Sequence, residues 1–147
     1  MVYLSKADLQ SIHASLSAKA KEDGDPIPPF SLADQGDIDS LVNIPQRSFF
    51  KREQYPTLES KAAIIYYTIN HKQIFRNGNK RMSTFCLLTF LAMNGKLLDV
   101  LDDDLTKKAL WLANTSAGDF QDIKEELEVW IKEHIIDFEF KSYAIAN

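Results

Sequence analysis

An all-α fold is what this sequence predicts: about six helices wrapped around one buried central helix, with short extended pieces before it and at the end. Three observations carry the prediction. Met82 to Met93 is apolar on nearly every face and stops at Asn94-Gly95, as a helix enclosed by others does. Other segments repeat apolar residues at helical spacing behind recognisable caps. Strand-like alternation is confined to stretches too short to form a core. The chain has 147 residues, 45% apolar and 26% charged, which suits one globular domain with a proper core. That domain is expected over 1–134, with a tail over 135–147.

The first helix opens at Leu4-Ser5-Lys6-Ala7-Asp8-Leu9, where Ser5 and Asp8 make a capping box and Leu4 and Leu9 a hydrophobic staple. Leu9, Ile12 and Leu16 form its core stripe, with His13 beside it as a helix-face histidine. From Gly24 to Gly36 three prolines fix the chain and remove donors, so this is a loop, pinned to the core by Phe30 and Leu32. Asp37 to Val42 makes a short helix stopped before Pro45. Gln46 to Gln54 is a polar connection carrying Arg47, Lys51 and Arg52, with Phe49 and Phe50 turned inward.

Pro56-Thr57-Leu58-Glu59 begins a helix that ends near His71, its buried face built by Leu58, Ala62, Ile65 and Ile69 and flanked by Tyr66 and Tyr67. The central helix follows, from Asn79 to Met93. Cys86, the only cysteine, lies inside it and reads as a small buried hydrophobe. After an extended Lys96 to Leu101, Asp102-Asp103-Asp104 cap a helix through Leu105, Ala109, Leu110 and Trp111. Asp119 starts the last helix, with Phe120, Ile123, Leu127, Trp130 and Ile131 inward. Ile136, Phe138 and Phe140 then alternate as a strand would.

The chemistry concentrates between the third and fourth helices. Lys72 to Arg81 carries four cations and no acid, and Lys80 and Arg81 stand at the start of the central helix. A helix N-terminus is the positive end of the macrodipole, so cations there are unfavourable by about a few tenths of a kcal/mol each unless an anion reverses the sign. Asn77 and Gly78 add a capping amide and a backbone able to wrap closely around a ligand. Such a loop ahead of a helix suits phosphate. Solvated cations beyond an ordinary Asn-Gly turn are the alternative.

Phe75-x-x-Gly78-Asn79-Lys80-Arg81, followed by a long apolar helix and preceded by Tyr55 to Ala63, resembles the signature of the Fic/Doc superfamily, and within it the Doc (death-on-curing) branch. The resemblance extends from the first helix to about His134. It implies a Fic/Doc-like helical bundle in which Phe75 anchors the loop and Asn77, Gly78, Asn79, Lys80 and Arg81 bind the phosphates of a nucleoside triphosphate, ATP above all. It also implies a flap ahead of the motif that holds a target peptide, with Phe30 and Leu32 of the proline-rich loop at its edge as the alternative to their pinning that loop to the core.

This chain departs from the family pattern at several positions. Gln73 stands where the family has the histidine that takes the proton from the target hydroxyl, and an amide cannot accept a proton near neutral pH. Arg76 stands where an acid often binds a metal, so the motif offers Mg²⁺ no carboxylate. Thr84 replaces the second arginine of Fic proper, which favours the Doc branch. The implied activity is transfer of a phosphoryl or nucleotidyl group to a protein hydroxyl, impaired by Gln73, with Arg81 beside it in the catalytic set. A silent Fic-fold module that binds nucleotide, phosphate or a partner is the alternative. Implied partners are a protein substrate such as a translation factor and an antitoxin peptide or protein.

A net charge of −4 gives no electrostatic footprint for bulk nucleic-acid binding. No segment reaches the roughly 18 apolar residues of a membrane span. With no leader-like N-terminus and one cysteine, a cytoplasmic location is expected.

Overall fold

The computed structural model of the protein describes residues 1–138. Six α-helices appear among them: α1 (Lys6–Glu22), α2 (Gln35–Asn43), α3 (Leu58–Lys72), α4 (Asn79–Met93), α5 (Asp102–Ala113) and α6 (Phe120–His134). Two small antiparallel pairs complete them. β1 (Ser48–Phe49) pairs with β2 (Arg52–Glu53), and β3 (Lys96–Leu98) pairs with β4 (Ile135–Asp137). The architecture is all-α, as predicted.

The helix starts follow their side chains. Ser5 and Asp8 close a capping box at α1, and Thr57 and Ser60 close another at α3. Asp34 accepts from the Asp37 amide at 2.9 Å and starts α2 two residues earlier than expected, inside what the sequence suggested was loop. At α5 the expectation of an aspartate cap is corrected. Leu101 is the cap residue with no side-chain bond, and Asp102, Asp103 and Asp104 occupy the first turn, where they meet the positive pole directly. Asp119 precedes α6 likewise without a side-chain cap.

Two helices, not one, are central. The α4 helix buries Met82, Ser83, Cys86, Leu87, Phe90 and Leu91, and burial pushes the Cys86 thiol up to about 12, which keeps it inert. The α3 helix is buried on still more of its circumference, because α4, α5, α6 and the turn at Ile44–Gln46 all pack against it. Tyr66, expected at the flank of its apolar face, is therefore completely enclosed. So is Lys61, whose stem is buried while Nζ donates to the Pro45 carbonyl at 2.9 Å and to Glu53 Oε1 at 3.2 Å. A buried ammonium persists only where such acceptors replace water.

Gln46 to Gln54 is also corrected. It contains the β1–β2 hairpin, whose two turn residues, Phe50 and Lys51, have φ of +48° and +66°. Tight two-residue hairpin turns require left-handed backbone to match strand twist. Phe49, in β1, and Phe50, in the turn, are turned outward, 61% and 99% exposed. Phe30, by contrast, does pin its loop to the core, while Leu32 is exposed. In the tail, β4 lies against β3 and the Phe138 amide donates to the Gly95 carbonyl. Phe140 lies outside the described residues.

Candidate functional site: an anion cleft at the start of α4

The end of α3 and the start of α4 are joined by a six-residue turn that folds back on itself. Gln73 ends α3 in the left-handed region, at φ 48° and ψ 53°, which reverses the chain. Ile74 and Phe75 then drop into the core. Phe75 lies against His13 (ring centroids 5.5 Å apart) and Phe30 (5.9 Å), so a cluster of three rings fixes the base of the loop. Burial among these rings holds the His13 imidazole below its ordinary value of 6.5, opposed by a hydrogen bond with the backbone of Pro28.

Asn79 ties the loop shut. Its Oδ1 accepts from the Phe75 amide at 3.0 Å and its Nδ2 donates to the Phe75 carbonyl at 2.6 Å. Both ends of the side-chain amide are engaged, so Asn79 shapes the loop, and its backbone N–H and the second hydrogen of Nδ2 are left for an anion. Asn77 is not the helix cap that its residue type suggested. Its Oδ1 accepts from the Gly78 amide at 2.8 Å, and Gly78 itself occupies the cap position at φ +79° with no side-chain cap. The positive φ at Gly78 favours glycine, and a Cβ there would stand 3.2 Å from Ile27 Cγ2, so that side chain would have to give by a few tenths of an ångström.

The first intrahelical bond of α4 runs from the Met82 amide to the Gly78 carbonyl at 2.8 Å. The amides of Asn79, Lys80 and Arg81 come before it and have no helical acceptor. No acid sits in this first turn. The helix therefore presents bare donors, its positive pole and two cations on one spot.

That spot opens into a cleft of ≈ 610 Å³. Gln73, Arg76, Asn77, Gly78, Asn79, Lys80 and Arg81 line one side, and Asn70, His71, Ala113 and Thr115 the other. Every predicted site residue except the anchor Phe75 reaches it. Arg81 is half-exposed and its Nη2 lies 3.8 Å from the exposed Asp25 carboxylate; among the described residues neither Arg76 nor Lys80 has an ion-pair partner. Because no carboxylate lines the cleft, and no group of three metal-ligating side chains exists among the described residues, the site does not fit a protein-held Mg²⁺.

Of the far wall, the sequence reading reached only His71, as a replacement for the base that needs the loop to repack by about two positions; Asn70, Ala113 and Thr115 were missed. Asn70 Nδ2 reaches the Ala109 carbonyl at 3.3 Å, and His71 Nε2 lies 2.8 Å from both the Leu112 carbonyl oxygen and Thr115 Oγ1. Only the packing of α5 on α3 brings these residues together, across about forty positions of sequence. His71 was visible as a titratable residue near the motif, but nothing in the local pattern linked it to Thr115.

The Fic/DOC family model matches residues 3–91, more than half of the chain. The chain belongs to the Fic/DOC family. The matched span includes the loop, α3, α4 as far as Leu91 and the β1–β2 hairpin, so the cleft's cationic side lies within the family segment. The far wall at Ala113 and Thr115 lies beyond it. None of the curated proteins matches the chain. No helix among the described residues is long and apolar enough to cross a membrane.

Proposed function

We propose that this is a Doc-like member of the family that moves a phosphoryl or nucleotidyl group from a nucleoside triphosphate, ATP above all, to a protein hydroxyl. The observation that carries the reading is the convergence of three first-turn amides, Lys80, Arg81 and Arg76 on a cleft without a carboxylate. Transfer between oxygens at phosphorus needs little covalent help from the protein. It is served by holding the phosphates in place and spreading the charge that develops on them. Lys80 supplies a mobile point charge, Arg81 a planar fork and the helix start a fixed row of donors.

The doubly engaged Asn79 keeps those donors pre-arranged, so little reorganisation accompanies binding. Gln73 stands at the mouth of the cleft and orients the target hydroxyl without deprotonating it. Any divalent cation would arrive with the nucleotide, and no step is assigned to it. The outward β1–β2 hairpin, rather than the proline-rich loop, takes the part of the family's flap against a protein substrate such as a translation factor. An antitoxin peptide or protein would restrain the activity in the cytoplasm.

The specific observation of Gln73 at the base position favours a second reading, a Fic-fold module that binds nucleotide without transferring it. Incubation of the protein with cell extract and ATP labelled at the α or the γ phosphate separates the two. A labelled protein band dependent on Lys80 supports the transferase, and γ label without α label identifies a phosphoryl transfer. ATP binding with no labelled product at any time supports the silent module.

A further inference from the structure

With Gln73 in place of the family's base, the cleft still holds one imidazole side chain. Its titratable lining groups are His71, Arg76, Lys80 and Arg81, and the three cations carry no free lone pair while charged. His71 reaches the cleft without any shift of the loop, although it precedes the family's base position by two residues.

The His71 ring is held on its face and one edge. It stacks on Tyr67 with centroids 4.4 Å apart and planes inclined by 15°. Its Nε2 meets the Leu112 carbonyl oxygen and Thr115 Oγ1, each at 2.8 Å. The Thr115 hydroxyl donates to that same carbonyl at 2.6 Å, which leaves its oxygen as an acceptor toward the ring. Both partners of Nε2 therefore accept, so Nε2 carries the proton and the lone pair of the neutral ring lies on Nδ1. Nδ1 has no hydrogen-bond partner among the described residues. A ring fixed by an N–H donated to a carbonyl, with its other nitrogen open, is the arrangement a general base needs.

We propose that Nδ1 of His71 is the proton acceptor in the transfer, an inference that rests on reading the cleft as a transferase site. The target hydroxyl oxygen forms a bond to a phosphorus of the triphosphate, and the bond from that phosphorus to its bridging oxygen breaks. The electron pair leaves with the departing phosphate, and the hydroxyl proton passes to Nδ1, giving an imidazolium. Thr115 is a positioning residue, since it acts through the ring.

The test uses the full chain, cell extract and labelled ATP, with labelling rates followed across pH and ATP affinity measured separately by calorimetry. His71→Gln keeps a donor for the Leu112 carbonyl and removes the base. The expected result is a labelling rate lower by about a hundredfold or more, loss of the acid limb of the pH–rate profile, unchanged ATP affinity, and recovery of labelling when Gln73→His is added. A role confined to packing would lower thermal stability and leave the acid limb in place. The proposal is overturned if His71→Gln labels at the wild-type rate with the same limb. It is equally overturned if the wild type binds ATP through Lys80 yet labels nothing, in which case the anion site stands without it. Failure to bind ATP at all would instead bring down the underlying reading of the cleft.

Discussion

The starts of α4 and α5 are opposites. At α5 three aspartates crowd the first turn and satisfy the positive pole from within the chain. At α4 the cap is a left-handed glycine with no side-chain bond, the first turn holds no acid, and Lys80 and Arg81 add positive charge. One helix start is neutralised by its own sequence; the other is left with unpaired donors and no acid beside them. The α1 and α3 starts, with their capping boxes, side with α5. Stability was given up at one helix start out of these four, at the place where the family's motif lies.

Substitutions that act on the two starts in opposite directions break or sharpen this contrast. The largest stability effect is expected at Asn79. Asn79→Ala removes both bonds to the Phe75 backbone and costs about 2 kcal/mol, read by denaturant unfolding, with loss of ATP binding as the loop opens. An unchanged unfolding midpoint would show that the ring cluster alone holds the loop.

Lys80→Glu separates folding from function. Removing a cation from the positive pole and adding an acid stabilises α4 by about 0.3–1 kcal/mol, while ATP affinity falls at least about tenfold through loss of a charge-assisted contact. The mirror change at α5, Asp103→Lys, should lower stability by a similar amount, about 0.3–1 kcal/mol, and leave ATP affinity unchanged. Raised salt should shrink both stability effects, because both helix starts are exposed.

The smallest effect concerns the ring cluster beneath the α4 start. Burial depresses the folded-state pKa of His13 below its ordinary 6.5, so the folded state binds that proton more weakly than the unfolded chain. Stability should be full above about pH 6.5 and fall as the pH drops from there toward the depressed value. His13→Phe should remove this acid-side slope in thermal unfolding measured against pH. A slope that survives in the variant would assign it to other groups.

Features written in adjacent residues were readable in advance. The α4 limits, the Ser5–Asp8 box and Thr57 ahead of α3 follow from local spacing and side-chain chemistry, and the anchoring role of Phe75 from the family resemblance. What depended on distant packing was not. Lys61 looks like a surface lysine until the Pro45 carbonyl and Glu53 come over it. Phe49 and Phe50 look like core residues until the hairpin carries them outward. Asn79 looks like a phosphate ligand from its place in the motif, and that its side chain also bonds both ends of the Phe75 peptide backbone was not readable. The cationic side of the cleft was thus legible as a run of residues, whereas the His71–Thr115 wall needed the fold.

Titration calorimetry of ATP into the wild type and into Lys80→Glu tests the proposed polyphosphate site at the α4 start most directly. Saturable binding to the wild type is expected, and to Lys80→Glu an affinity lower by at least about tenfold in a protein that melts no earlier. Equal affinity for the two proteins, or no binding to either, would contradict it.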